Sequence, residues 1–340
     1  MYILGIETSC DETAASIVKD GKIILANAVA TSLAKHKEYG GIIPEIASRK
    51  QLELINLVVQ DALRVADKKL SSLGAIAVTI QPGLIGSLLV GICSARALSY
   101  ALNIPLIEVD HVSAHLYANF LQFKNTLNPA VQPKLPAIGL VVSGGHSSLF
   151  VVKDFQHMEL LGQTRDDAAG EAYDKVARIL NLGYPGGPII DRLARRGKNE
   201  EIVFPCAMLP NSHDFSFSGI KTAVYYFIKR HASNKKIPLE KIAYSFQESV
   251  VNALTKKTIA ACLEKKIKTI IVGGGVAANS MLRQRLALEG KKHRLDVFFP
   301  DLSLCMDNAA MIAGLGFHHK KLKHEKNKRS ASWVQSYSKS

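Results

Sequence analysis

The sequence predicts a two-lobed α/β protein built by duplication, and three observations carry that reading. At 340 residues the chain exceeds the ~250–300 at which single hydrophobic cores tend to divide. Two β-hairpin signals with small-residue turns, one near the N-terminus and one at Ser143-Gly144-Gly145-His146, each open a run of alternating strands and helices. Each half therefore begins strand–turn–strand, where a dinucleotide-binding fold would begin strand–GxGxxG–helix.

In chain order, Tyr2–Glu7, Ala14–Lys19 and Ile23–Ala30 read as strands. A turn at Ser9–Thr13 separates the first two, and Asp20-Gly21, a pair that favours tight hairpins, separates the second two. A helix is expected from Pro44, since proline suits a first turn, with Ile46, Leu54, Leu57, Val58 and Leu63 apolar. Ala75–Ile80 is a buried-type strand, Gly86–Ala101 an apolar helix, Leu106–Val109 a strand and His111–Phe120 a helix. Residues 124–136, polar and holding Pro129, Pro133 and Pro136, read as a crossing between lobes. Ala137–Val142, Leu149–Val152 and Met158–Gly162 are the next strands. Thr269–Val272 runs into Gly273-Gly274-Gly275 and a helix from about Ala277, and a last helix spans Asn308–Lys321. The expected division is a first lobe over 1–123 completed by a C-terminal helix at 306–322, a second lobe over 124–305, and a basic, mobile tail at 323–340.

Composition narrows the class. Apolar residues make up 47% and charged residues 21%, which is ordinary for a globular protein. Five scattered cysteines without a Cys-x-x-Cys argue against a disulfide framework or zinc ribbon and for a reducing compartment. The opening Met1-Tyr2-Ile3-Leu4-Gly5-Ile6-Glu7 has no basic stretch before its carboxylate, so no signal peptide is expected. The longest apolar helix carries Arg96, so no membrane span is expected either, and the chain reads as cytoplasmic. A net charge of +14 favours a polyanionic partner or marks a solvated basic surface.

Several segments carry chemistry. His111 and His115 stand at i and i+4, one helix face, which suits two ligands on one divalent ion. A zinc peptidase would need Glu directly after the first histidine, and Val112 stands there. The glycine turn after Val141-Val142 is either a tight hairpin or an anion cradle of backbone N–H groups. Gly273-Gly274-Gly275 between a strand and a helix permits a flat ring to lie against the backbone, with Asn279 near enough to hydrogen-bond a ribose or base. Asp307 either caps the last helix or adds a third metal ligand. Asp166 to Asp174 holds four further carboxylates with Asp167 and Glu171, and Tyr184-Pro185-Gly186-Gly187-Pro188 is a rigid turn with Asp191 following.

Together these segments resemble the TsaD family, formerly called glycoproteases. The resemblance rests on Gly5 to Thr13, Tyr39-Gly40-Gly41-Ile42-Ile43-Pro44-Glu45, the acidic cluster through Asp174-Lys175, Tyr184 to Pro188, Phe215-Ser216-Phe217-Ser218-Gly219-Ile220-Lys221-Thr222, Gly273 to Asn279 and Asp307 to Ala310, in order over roughly Met1 to Phe317. It implies an actin/hexokinase/Hsp70-like (ASKHA) fold of duplicated ribonuclease H-like domains with a cleft between them. It also implies transfer of threonylcarbamoyl from threonylcarbamoyl-adenylate to N6 of adenosine 37 in tRNAs reading codons that begin with A, giving t6A and AMP.

Carried over residue by residue, the resemblance implies one divalent metal, iron(II) or zinc, on His111, His115 and Asp307. Val141, Val142, Ser143, Gly144 and Gly145 would cradle the phosphate and carbonyl region, while Asp174, Gly187, Asp191 and Asn279 would bind the adenylate. Asp11 and Glu12, on the first hairpin turn, would face the cleft as catalytic residues. Implied partners are tRNA, a TsaB-type paralogue subunit, a TsaE-type ATPase and a TsaC-type synthase supplying the adenylate; no membrane is involved. Departures are Ser113 and Ala114 where Glu and Gly are common, Gln81 for glycine and Gln51 for histidine, the last two expected to lie away from the site. The rival readings are a metal-dependent glycoprotease and a small-molecule kinase or ATPase of the same superfold.

Overall fold

The first strand, Tyr2–Glu7 (β1), is buried from Ile3 onward, so both of its faces need cover. The computed structural model, which describes residues 1–126, 131–198, 202–231 and 238–319, shows how that cover is supplied. The tail expected at 323–340 lies outside the described residues. β2 (Glu12–Lys19) and β3 (Ile23–Thr31) follow antiparallel, with Tyr2 opposite Lys19 and Ala14 opposite Val29. Asp20 and Gly21 both take left-handed φ, 51° and 69°, as a tight hairpin requires. Next come the short α1 (Leu33–Lys37), α2 (Pro44–Ala66), β4 (Ala75–Gln81), α3 (Ile85–Leu102), β5 (Leu106–Asp110), α4 (His111–Tyr117) and β6 (Gln122–Phe123). The first sheet has the order β5-β4-β1-β2-β3-β6.

The second lobe repeats this plan. β7 (Ala137–Val142), β8 (Ser147–Val152) and β9 (Met158–Gln163) form an antiparallel meander. After α5 (Ala169–Ile179), α6 (Gly186–Ala194), α7 (Ser218–His231) and α8 (Leu239–Lys265), β10 (Thr269–Gly273) joins parallel to β7. α9 (Ser280–His293), β11 (Asp296–Phe298) and α10 (Ala309–Gly316) complete the described chain. The second sheet, β11-β10-β7-β8-β9, has the order of β5-β4-β1-β2-β3 in the first. The duplication read from two hairpins is thus present strand for strand.

Side-chain alternation along β1 fixes the layering. Leu4 and Ile6 join Ile55, Val58 and Val59 of α2 in a core on the outer face of the first sheet. Ile3 faces the opposite way, into a core shared with Leu116 of α4, Met311 and Ile312 of α10, and Val141 and Ile271 of the second sheet. α4 and α10 therefore lie between the two sheets, and α5 to α9 build a third core with the remaining face of the second. α3 is long and apolar enough to cross a membrane by length alone, yet it packs along α2 and β4.

Two helix starts differ from the sequence reading for one reason, side-chain capping. Asn279 accepts from Leu282 N at 3.0 Å, so α9 begins at Ser280 and Gly275–Ala278 forms a single 3₁₀ turn. Asn308 accepts from Met311 N at 3.1 Å, so α10 begins at Ala309, and it ends at Gly316, short of the expected Lys321.

Gly5 is what lets α10 lie on the first sheet. A Cβ there would stand 2.2 Å from Ala309 O and 2.9 Å from Ala313 Cβ. Gly5→Ala is expected to cost about 1–3 kcal/mol of unfolding free energy through overpacking. Urea titration checks this, and an unchanged midpoint would show that α10 is not held as described.

Candidate active site

The site begins where β5 ends. Asp110 accepts from Ser113 N and Ser113 Oγ, both at 2.9 Å, and so caps α4 with the serine that replaces the commoner glutamate. One turn of α4 then stacks His111 over His115, rings 4.6 Å apart at 78°, both buried. Their Nε2 atoms are 3.2 Å apart and face Asp307 Oδ1, at 3.5 Å from His111 and 3.2 Å from His115. Because Asn308 takes the capping role, Asp307 is left to point at the histidines.

Glu7, fully buried at the end of β1, completes the cluster from the other side. Its carboxylate accepts from His111 Nδ1 at 3.0 Å, Ser9 N at 2.5 Å and Thr79 Oγ1 at 2.5 Å. That contact fixes the ring so that Nε2 faces outward, as a carboxylate does behind a metal-bound histidine. Burial alone would depress the His111 pKa, but Glu7 and Asp307 override it and raise it to about 9. Burial works to raise Asp307, while His111 and His115 bring it down to about 2. His115 Nδ1 is buried without a hydrogen-bond partner, and its Nε2 lies 3.2 Å from Asp307 Oδ1.

The donor atoms of His111, His115 and Asp307 lie within 4.8 Å of one another. Two imidazole nitrogens and one carboxylate oxygen fit a divalent transition metal better than magnesium, which prefers oxygen.

The glycine turns differ in purpose. Ser143 N donates to His146 O at 2.8 Å, closing the hairpin between β7 and β8. Gly144 and Gly145 are exposed, neither has a left-handed φ, and a Cβ on either would meet nothing within 4 Å. Neither turn geometry nor packing requires glycine there, which favours the anion-cradle reading over the plain turn. Gly273 and Gly274 are demanded by the protein itself: a Cβ would stand 2.5 Å from His115 O and 2.3 Å from Val142 O, respectively. Gly273 lets β10 press against α4 and Gly274 lets the chain pass the end of β7, and no flat ligand ring is needed to explain them. His146, at the end of the first turn, is half-buried, and its pKa is lowered by burial and by the charges of His111 and His115. It faces the histidine pair, although the sequence reading gave it no role.

Of the residues expected at the adenylate, Asp191 and Asn279 share one hydrogen-bond network through Gln247, while Asp174 of α5 stands apart, against the start of α6. Asp174 Oδ1 accepts from Gly186 N at 2.7 Å at the start of α6, where Gly187 is open to any ligand. Asp191 Oδ1 accepts from Gln247 Nε2 at 3.1 Å and Ser280 Oγ at 2.7 Å, and its Oδ2 pairs with Arg195 at 2.6 Å. Asn279 Nδ2 donates to Gln247 Oε1 at 2.7 Å. Asp191 and Asn279 are therefore engaged with protein partners in the metal-free, ligand-free chain. Of the acidic cluster, Asp166 caps α7 through Phe217 N at 2.7 Å and Ser218 Oγ at 2.9 Å, and Asp167 pairs with Lys175 at 2.6 Å.

Across the cleft, the turn carrying Asp11 and Glu12 is held by Gln51. Its buried Nε2 donates to Cys10 O at 3.0 Å and Glu12 O at 2.9 Å, with Thr8 O at 3.4 Å. Gln51 thus belongs to the site, contrary to the expectation that it lies away from it. Burial, then Asp307 and Asp11, raise the Glu12 pKa to about 10, and burial pushes the Cys10 thiol far up. Glu12 is accordingly protonated at neutral pH and Cys10 is not a thiolate. Burial, and then the charges of Asp174 and Asp11, push the pKa of the Tyr184 hydroxyl well above its ordinary range. Arg178 of α5 donates to Gly40 O of the first lobe, a contact between the lobes.

A profile of the TsaD family, tRNA N6-adenosine threonylcarbamoyltransferase, matches residues 23–314. The chain belongs to the TsaD family. A tRNA N6-adenosine threonylcarbamoyltransferase of Caldicellulosiruptor saccharolyticus is 49% identical over 320 residues, 93% of this chain and 92% of that protein. One of Clostridioides difficile is 48% identical over 318 residues, again 93% and 92%. Among solved structures, full-length HypF in its phosphate- and nucleotide-bound form aligns with TM-score 0.60 at 13% identity, over 95% of this chain and 47% of HypF. The 2-hydroxyisocaproyl-CoA dehydratase activator of Clostridium difficile with bound ADPNP aligns with TM-score 0.53 at 16% identity, over 97% and 100%. These likenesses are of fold, and with the TsaD match they establish the expected ASKHA architecture.

Two outcomes follow for this TsaD chain. A metal ion and a proton compete for His111 Nε2, so metal affinity should rise about tenfold per pH unit from 7 toward 9, with a proton released on uptake. In the metal-free chain the same raised pKa gives stability that is full below about pH 6.5 and lost as pH climbs through about 9. Calorimetry in buffers of different ionisation enthalpy checks the proton, and a flat affinity over this range would contradict the geometry. Gln51→Ala, leaving buried carbonyls unpaired, should lose about 1–3 kcal/mol in urea unfolding; a neutral result would remove Gln51 as the anchor of the turn.

Proposed function

We infer that the chain transfers a threonylcarbamoyl group to N6 of adenosine in tRNA, at position 37 of tRNAs reading codons that begin with A. The donor is threonylcarbamoyl-adenylate: a bond forms from N6 to the carbamoyl carbon, the bond from that carbon to the adenylate phosphate oxygen breaks, N6 gives up a proton, and AMP leaves. The observation that carries this reading is the TsaD match over residues 23–314, supported by a His111/His115/Asp307 cluster that could hold a metal and by an open glycine turn.

His111, His115 and Asp307 would hold one divalent ion, iron(II) or zinc. When bound, such an ion supplies Lewis-acid polarisation of an oxygen on the acyl-phosphate and neutralises its charge. The chain's own residues position the rest. Backbone N–H groups of Gly144 and Gly145 would meet negative charge on the phosphate or carbonyl, that of Ser143 being given to His146 O. Gly187 leaves room beside Asp174 for the adenylate, whose ribose hydroxyls would compete for the carboxylates of Asp174 and Asp191. Protonated Glu12 serves better as a hydrogen-bond donor than as a base, so holding the tRNA amine in line carries much of the rate.

The partner proteins belong to the same reading. Leu52, Leu57 and Val65 of α2 and Ile85, Leu89 and Tyr100 of α3 are exposed on one lobe, which supports a face for a TsaB-type paralogue. A TsaE-type ATPase and a TsaC-type synthase would complete the system. All five cysteines are free, in keeping with the reducing, cytoplasmic setting expected from the sequence.

The test is reconstitution with threonine, bicarbonate, ATP, the synthase, partner proteins and tRNA, followed by nucleoside analysis. Formation of t6A is expected, and its absence would sink the assignment. Within that assay Glu12→Gln should keep turnover within about tenfold of the parent, because the amide copies the protonated acid. A loss of many orders would make Glu12 the proton acceptor instead.

A further inference from the structure

Helix α7 packs against α5, the helix whose start touches the glycine turn, and carries residues that the transfer reaction does not use. Its inner face is ordinary: Ile220 and Val224 are buried, and Ala223, Phe227 and Ile228 pack partly against the second-lobe core. The 3.6-residue period then turns Thr222, Tyr225, Tyr226, Lys229 and Arg230 outward, and all five are exposed. Tyr225 and Tyr226 keep 48% and 52% of their surface in water, with ring centroids 5.5 Å apart at 68°. The helix sequence, Ser-Gly-Ile-Lys-Thr-Ala-Val-Tyr-Tyr-Phe-Ile-Lys-Arg-His, contains no carboxylate.

Its position is equally specific. Asp166 accepts from Phe217 N and Ser218 N at the head of α7. Four residues on, Gly170 packs so closely on the glycine turn that a Cβ would lie 2.6 Å from Ser143 O. The N-terminal end of α7 is thereby tied to the edge of the cleft. From Ser218 to Arg230 the helix runs about 18 Å outward at 1.5 Å per residue.

We propose that this face of α7 is a docking surface for the tRNA, an inference that rests on the function proposed above. Unpaired bases of an RNA loop are recognised by stacking on exposed aromatic rings, and the flanking phosphates by lysine and arginine. Tyr225 and Tyr226 offer the rings and Lys229 and Arg230 the cations, while Lys221 is paired with Asp167 at 3.7 Å. The chain's net charge of +14 favours a polyanion over an apolar protein surface as the occupant. RNA lying along α7 would lead from the solvent to the glycine turn, placing a loop base at the cleft mouth.

The test uses the full chain with its partner proteins and measures tRNA affinity across a salt series. Lys229→Ala/Arg230→Ala should weaken binding at least about tenfold and reduce the log–log salt slope by roughly 1.5–2. Tyr225→Ala/Tyr226→Ala should weaken binding about tenfold or more, from lost stacking, with the slope unchanged. Both variants should keep the parent's metal content, AMP binding and unfolding midpoint. Parent-like tRNA affinity in both variants would overturn the proposal. So would loss of a partner protein on size-exclusion chromatography while the tRNA affinity of the chain alone is unchanged, since α7 would then be a protein interface. If the parent itself forms no t6A, the proposed function fails; if the parent forms it and the variants bind tRNA as the parent does, only the role of α7 fails.

Discussion

Two imidazoles packed between two β-sheets set the terms for the rest of this molecule. α4 brings His111 and His115 into a region where water cannot solvate a charge, so their polar atoms must be matched by the protein. Glu7 reaches His111 from the end of β1, and Asp307 reaches both rings from the residue before the α10 cap. Neither carboxylate can be placed alone. Glu7 needs β1 to end where it does, and Asp307 needs α10 to lie on Gly5. Gly273, against His115 O, lets the second sheet approach the same helix. The cluster is therefore assembled from β1, α4 and the residue before the α10 cap, all of the first lobe, with the second sheet closing on α4 behind it.

The parts of this arrangement that have a period or a local chemistry were legible in the sequence. Hairpins announced by Asp20-Gly21 and by the glycine turn, the buried strands between them, and the i, i+4 histidines all stand close to where they were read. Glu7 as the partner of His111 was not legible, since one carboxylate ending an apolar strand carries no periodic signal and its partner is 104 residues away. Gln51 was misplaced for the same reason: an amide in a helix shows no sign that it reaches back to the carbonyls of a distant turn. Asp307 left two readings open, and only the neighbouring Asn308 side chain, which does the capping, decides between them. The glycines divide similarly. Sequence cannot tell a glycine that no packing requires, as at Gly144, from one kept because another strand passes, as at Gly274.

The second half of the site is held by a different economy of contacts. Asp191 and Asn279 lie in a network with Gln247 and Ser280 that ties α6 and the start of α9 to α8, while Asp174 of α5 separately holds the start of α6 through Gly186 N. A ligand with hydroxyl groups would exchange bonds there with bonds already made, so its net gain per contact is modest and its geometry is strict. Such a surface suits a shared handle like a nucleotide, which must be held in one orientation and released when the group it carries is gone.

The contact of Arg178 with Gly40 spans the lobes. On the first-lobe side, burial and then Asp307 and Asp11 raise the Glu12 pKa, and burial raises that of the Cys10 thiol. A thiolate nucleophile is disfavoured there because burial penalises the charged form. In the proposed reaction the route to a lower barrier is alignment: a fixed acyl donor, donors aimed at its oxygens, and an amine delivered along a defined path. That places the burden of selectivity on how the large substrate is guided to the cleft mouth, outside the buried cluster on which the fold depends.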